Sequence, residues 1–343
     1  MSKRGLLILV AASLALPATA ARPTFEDLVA NLKSPNARTR QEAAAQLGKS
    51  GRTDAVAPLA ALVRDPELRV RMEVVRALTG LRDRGAVPAL TVSLGDGEPR
   101  IREEALGALV DLHAEVERAG AVPRFLRTFA DEHERSSLPV TVRVDPAVYA
   151  GIQGLLGDPE IPLRESAAYA LGILDGRPAL PALQGALQDP APEVRGAAAT
   201  AIGKIGTAVE GRDLIALLGD AASDPRDRAL QAIGVLQVRD AAPVLRQMLE
   251  QKLSREVSLR VMEALSRLAD PAQAELFRSL AQDPDQERRR LAIEGLARVA
   301  DGSMIAAFKK DFQRESSEPL RLALAFALVR LGDRAFVDTI VLS

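Results

Sequence analysis

The chain has 343 residues, 45 Lys+Arg against 46 Asp+Glu, no Cys, no Trp and 3% aromatic residues. The lack of cysteine excludes disulfides and thiolate metal sites. A formal charge of -1 argues against a nucleic-acid binder or a protein held on an anionic membrane.

In chain order, the first element is a predicted export signal. Lys3 and Arg4 give a positive start, Leu6 to Leu16 form a short apolar run, and Pro17 ends it. Ala18-Thr19-Ala20 then offers the small-x-small site that signal peptidase needs, so cleavage is expected near Ala20. The alternative, an uncleaved anchor, is disfavoured because the run is short for a bilayer span. Loss of Lys3 and Arg4 takes the formal charge from -1 to -3. No later stretch is apolar enough to insert in a membrane, so none is expected after cleavage.

Thr24 to Lys33 reads as a lone amphipathic helix carrying Phe25, Leu28, Val29 and Leu32, placed to cap whatever follows. Beyond it a pattern returns every 31 or 32 residues. Asp65-Pro66 leads to Val70-Arg71, Val74, Ala77, Leu78 and Leu81; Asp158-Pro159 leads to Leu163-Arg164, Ala167, Ala170 and Leu171; Asp189-Pro190 leads to Val194-Arg195, Ala198, Ala201 and Ile202. The arginine position falls at Arg40, Arg71, Arg102, Arg164, Arg195, Arg226, Ser258, Arg289 and Arg321. Its steps are 31, 31, 62, 31, 31, 32, 31 and 32, and the 62 reads as two periods with a degenerate copy inside.

Each copy predicts two helices. In the unit from Asp65 to Gly95, Asp65 is expected to cap the first helix with Pro66 in its first turn. Val70, Val74, Ala77, Leu78 and Leu81 then lie on one helical stripe. Arg82 to Gly85 turn the chain, and Pro88 opens a second helix through Leu90 and Leu94, each helix about three turns long. Neither helix can bury its stripe alone, so copies must stack. Ala-rich positions and the late glycines Gly172, Gly203 and Gly234 suit close helix approach.

The centre is irregular. Helical text runs on through Leu112, Val116 and Arg118, a helix follows from Val122 to about Glu134, and Ser136 to Val144 reads as extended because Pro139 denies a helix there. Asp145-Pro146 restarts a helix through Tyr149, Ile152 and Leu155. The domain reading is therefore a signal peptide over 1–20 and one repeat array over 21–343, with a cap helix at 24–33 and an irregular segment at about 131–157. That segment is either a decayed copy or a loop kept for binding or for a bend. Ala335 to Leu342 predicts a last short helix.

Asp, then Val-Arg five and six residues later, then Ala-x-x-Ala-Leu, resembles the short HEAT-like repeats of bacterial proteins, the type also found in phycobilisome lyase subunits. Ankyrin and tetratricopeptide signatures are missing. The resemblance implies an all-α fold, a right-handed α-solenoid of the HEAT/armadillo-like kind built from stacked helix pairs. It also implies that the Arg and Asp columns pair along the stack as a structural ladder, through Arg40, Arg71, Arg102, Arg164, Arg195, Arg226, Arg289 and Arg321. Bidentate geometry suits arginine to that task. At Ser258 the column breaks, and a buried Asp there would need another donor.

In such arrays the Arg-bearing helix usually lines the concave side. Positions one and five after the arginine point away from its apolar stripe, which makes Met72, Arg76, Glu103, Glu165, Tyr169, Asp227, Glu263, Glu294 and Phe326 the candidate protein-binding residues. No basic stripe is among them.

Enzymes on related folds leave signatures that are absent. Deoxyhypusine hydroxylases hold two irons with repeated His-Glu pairs, whereas this chain has two His, His113 and His133, and one such pair, His133-Glu134. Asp131, Glu132, His133 and Glu134 read as a solvated helix end, and His113 as a surface or half-buried residue. HEAT-like DNA glycosylases use a basic, aromatic face that is lacking here. With no nucleophile motif, phosphate-binding glycine loop or metal-ligand spacing, no catalytic residue, cofactor or metal is expected. The sequence reading is an exported, non-catalytic protein-interaction scaffold or adaptor, periplasmic or secreted, with a protein partner and no nucleic-acid partner. The competing reading is a HEAT-fold enzyme or accessory subunit of the bilin-lyase or metal-hydroxylase kind.

Overall fold

The computed structural model describes residues 23–114 and 144–341. Every regular element among them is helical. The 1–20 signal segment, Val116, Arg118, the helix from Val122 to about Glu134 and the extended stretch ahead of Val144 lie outside the described residues.

Nine helix pairs follow one unpaired helix, α1 (Phe25–Asn31). The first helices of the pairs are α2 (Ala37–Lys49), α4 (Leu68–Leu81), α6 (Pro99–Ala114), α8 (Ile161–Ile173), α10 (Pro192–Ile205), α11 (Ser223–Leu236), α13 (Arg255–Arg267), α15 (Gln286–Arg298) and α17 (Glu318–Arg330). Second helices are α3 (Val56–Ala60), α5 (Val87–Ser93), α7 (Pro146–Gly154), α9 (Leu180–Ala186), a 3-10 segment over Glu210–Gly219, α12 (Ala242–Glu250), α14 (Ala274–Leu280), α16 (Ile305–Arg314) and α18 (Val337–Val341). Each first helix packs against the first helix of the next pair. The buried aliphatic residues form one continuous core between the two walls. The chain is an α-solenoid.

The two helices of a unit are unequal. First helices run 13 to 16 residues, so three turns or more, as expected. Second helices run 5 to 10 residues and are mostly entered through a single 3-10 turn, shorter than the sequence reading. Pro88 and Pro181 do sit in the first turn of theirs, where a missing N–H costs nothing.

Asp65 does not cap α4. The helix begins at Leu68 with Glu67 at the cap position, which makes no side-chain cap bond. Asp65 lies two residues earlier, where its Oδ1 accepts the Glu67 N–H at 2.9 Å. The aspartate closes a small turn ahead of the helix, and its other carboxylate oxygen stays free for a partner across the stack.

Glycine lets the first helices touch. A Cβ on Gly203 would lie 2.8 Å from the Ala232 Cβ, and one on Gly48 would lie 2.6 Å from that of Ala77. Gly172 meets Ala201, and Gly234 meets Ala264, in the same way. This Gly-on-Ala column sets the spacing of the first-helix wall.

At the irregular centre the described residues overturn the degenerate-copy reading. Arg102 on α6 binds Asp158, 56 positions on, whereas the corresponding pairs elsewhere are 25 apart. α6 packs directly on α8, and α7 packs on α5; Gly151 of α7 faces the Leu94 side chain. Tyr149 of α7 donates to the Leu174 carbonyl at 2.7 Å, which ties α7 to the end of the next first helix. The excess of 31 residues is therefore one insertion between the two helices of a single unit, and no pair is interposed in the stack. Residues 144–157, counted within the irregular segment, end in a regular second helix capped by Asp145, whose side chain accepts from the Ala147 N–H. The remainder, 131–143, lies outside the described residues.

At the N-terminus α1 stands where the second helix of a preceding unit would be. Thr24 and Asp27 form a capping box, Leu28 and Leu32 are buried, and the Arg52 guanidinium sits 3.9 Å from the Phe25 ring centre.

Candidate functional site: the first-helix wall and its arginine ladder

Five arginines form one repeated joint. Arg40 holds Asp65 through Nε at 2.7 Å and Nη2 at 2.8 Å; Arg71 holds Asp96, Arg164 holds Asp189 and Arg195 holds Asp220 in the same bidentate way. Arg102 pairs with Asp158 at 2.7 Å. The third nitrogen reaches back: Nη1 of Arg71, Arg102, Arg164 and Arg195 donates to the carbonyl of the aspartate that opens its own unit, and Arg40 uses Ser34 there. One guanidinium thus spans two turns, one from each of two successive units. The aspartate side chains are at most 9% exposed, so these are desolvated pairs whose separation would strand a buried charge.

The electrostatics follow. Burial alone would push the Asp65 and Asp189 carboxyls up; Arg40 or Arg164 and a backbone N–H outweigh it and hold both below the usual range. The Arg195 hydrogen bond does the same to Asp220.

Beyond Asp220 the joint fails. Arg226 forms no hydrogen bond or ion pair, and its buried Nε has no partner. Ser258 supplies no donor, so Asp283 has only a 3.4 Å ion pair with Arg288. Arg289 keeps the carbonyl half, donating to Asp283 O at 3.0 Å, without a carboxylate. Arg321, in the last pair, stacks 5.0 Å from the Phe312 ring centre instead. The expected ladder of eight arginines is therefore five complete joints followed by three positions that depart from it. A different pair, Arg255 with Asp285 at 2.6 Å, bridges α13 and α15 near the surface. It draws the Asp285 carboxyl down to about 2, with backbone N–H groups of α15 assisting.

The nine candidate binding residues all lie on first helices, in four groups. Met72, Arg76 and Glu103 line one cleft of about 470 Å³ between α4 and α6. Asp227 and Glu263 line another of about 430 Å³ between α11 and α13, beside Arg228 and Arg260. Glu165 and Tyr169 lie on α8, where burial, and secondarily the Glu165 and Asp224 charges, push the Tyr169 phenol up while Arg228 opposes. Gly196 makes this approach possible, since a Cβ there would collide with the Asp224 carboxylate. Glu294 accepts from Arg298 at 3.2 Å, and Arg298 lies 5.6 Å from the Phe326 ring centre.

Two properties of these residues differ from the sequence reading. Met72, Tyr169 and Phe326 are half-buried and pack against the core, because the neighbouring first helix covers their flanks. Several of the acids are already paired: Asp227 with Arg260, Glu263 with Arg267 and Glu294 with Arg290 and Arg298. Arg290 is held charged against burial by Glu294 and Glu287.

His113 is buried rather than superficial, with Nδ1 2.7 Å from the Leu109 carbonyl. His133 and its acidic neighbours lie outside the described residues. Among the described residues no cluster of His, Asp and Glu has metal-ligand form, and no helix is long and apolar enough to cross a membrane.

Stacked helix pairs with an internal arginine ladder define an α-solenoid repeat protein. A family model described as HEAT repeats matches residues 25–110, 150–234 and 211–297, more than half of the chain, and the chain belongs to that family. No curated protein matches it. Among solved structures it is similar to an engineered protein at 18% identity and TM-score 0.42, covering 90% of this chain and 98% of that one. It is also similar to the YibA protein of Escherichia coli at 17% identity and TM-score 0.49, covering 80% of this chain and 91% of that one.

Proposed function

We propose that the protein is exported and serves as a non-catalytic protein-interaction scaffold in the bacterial cell envelope, gripping a protein partner along its first-helix wall. The observation that carries this reading is the grouping of candidate residues from successive units into shared clefts: Met72 and Arg76 with Glu103, and Asp227 with Glu263. A solenoid joins such clefts in a row, so a partner can be held at several points at once. Export rests on the Lys3-Arg4, Leu6 to Leu16 and Ala18-Thr19-Ala20 pattern. The finer likeness to the phycobilisome-lyase type of short repeat rests on the Asp, Val-Arg, Ala-x-x-Ala-Leu spacing alone and brings no bilin chemistry into this reading.

The test has two arms. The full chain with a C-terminal tag should be recovered from the envelope fraction with Ala21 at its N-terminus, and recovery of intact Met1 in the cytoplasm would overturn export. Capture from envelope extract should yield a defined protein partner that is lost with Arg76→Glu combined with Glu103→Arg, and with Tyr169→Ala combined with Phe326→Ala. Circular dichroism should show that these variants remain helical. Undiminished capture by both variants would overturn the proposed face.

A further inference from the structure

The break in the ladder at Arg226 leaves a shaped seat. In each intact joint the guanidinium takes a carboxylate 25 positions further on. For Arg226 that position is Gln251. The turn itself is conserved in geometry: the Gln251 N–H donates to Met248 O at 3.0 Å, as the Asp220 N–H donates to Leu217 O at 3.0 Å and the Asp189 N–H to Ala186 O at 3.2 Å. Gln251 therefore stands where a ladder aspartate stands, and no side chain replaces the missing carboxylate. In its place is a cavity of about 540 Å³ between the turn and the adjoining second helices, with Arg226, Gln247, Lys252 and Ser254 among its walls. Its one acid, Asp220, is already engaged by both arms of Arg195.

We propose that this cavity binds a carboxylate, with Arg226 as the bidentate donor and Lys252 at the rim adding positive charge. The site is distinct from the first-helix wall and does not depend on the scaffold reading. Arginine presents a planar fork matched to a carboxylate, and the five other joints show that the same turn geometry delivers one to it. Two sources carry this chemistry: a free small organic acid, or an aspartate in an extended polypeptide that mimics the absent Asp-Pro turn.

The test uses the full chain and three probes: succinate, the blocked dipeptide acetyl-Asp-Pro-amide, and sulfate. Isothermal titration and thermal unfolding should show saturable binding of a carboxylate probe, with succinate alone indicating a free acid and the dipeptide a polypeptide ligand. Arg226→Met should weaken binding by at least about tenfold, the scale of a charge-assisted pair. Gln251→Asp should abolish binding while raising the unfolding midpoint, because it fills the seat from within; this second variant keeps the test sound if Arg226→Met folds poorly. Absence of saturable binding by either carboxylate, binding that survives Gln251→Asp, or sulfate binding as tight as carboxylate would overturn the proposal.

Discussion

The units up to Asp220 and those beyond it share helices, period and core, yet are joined differently. In the first region every guanidinium clasps a buried carboxylate of the next unit and a carbonyl of its own. In the second, Arg226 has neither, Ser258 offers no donor and Arg289 has the carbonyl alone. The exposed Arg255–Asp285 bridge, with the Arg255 side chain 58% exposed, is the visible substitute, and such pairs contribute little in water. Apolar stacking is sufficient to hold a solenoid together, and the ladder adds stiffness and register to one part of it.

Acid should separate the two regions most. Asp65, Asp189 and Asp220 have carboxyls held below their ordinary value. Their stabilising contribution is thus complete above the ordinary carboxylate range and is lost as pH falls through the depressed folded-state values. Titration followed by hydrogen exchange should loosen the region before Asp220 below about pH 4. Exchange there that is unchanged down to pH 2 would refute an energetic role for the ladder.

Single replacements should divide the same way. Arg102→Met strands the Asp158 carboxylate at the joint that closes over the 31-residue insertion and should cost about 3 kcal/mol in urea unfolding. Arg289→Met removes one hydrogen bond to a carbonyl and should cost about 1 kcal/mol. Equal costs would erase the distinction.

The smallest expected effect lies in the second region. Ala300 follows α15 with φ of 57°, a left-handed conformation that a Cβ disfavours. Ala300→Gly should therefore stabilise by roughly 1 kcal/mol, read from the denaturation midpoint.

The period, the helix pairs, the cap helix and the arginine column were all legible, because each depends on the spacing of residue types along the chain. The partner of each arginine was expected from the family resemblance, but not its position. That the aspartate 25 residues on receives the fork depends on the offset between neighbouring units, a tertiary quantity. Had that offset been known, Gln251 would have marked the break as plainly as Ser258 did. The central insertion was misread because 62 is twice 31; only the direct pairing of Arg102 with Asp158 separates an inserted segment from a decayed copy. On the first-helix wall, helical geometry gave the outward positions correctly. The burial of Tyr169 and Phe326 depends on how closely adjacent helices lean, which the glycine and alanine contacts decide.

The most direct measurement is residue-resolved hydrogen exchange on the wild-type chain and on Gln251→Asp. Slow exchange throughout α2 to α10, faster opening from α13 to α17, and a narrowed difference once aspartate occupies position 251 are the expected results. Uniform protection on both sides of Gln251, or a variant with an unaltered profile, would contradict the claim that the arginine–aspartate joint couples successive units.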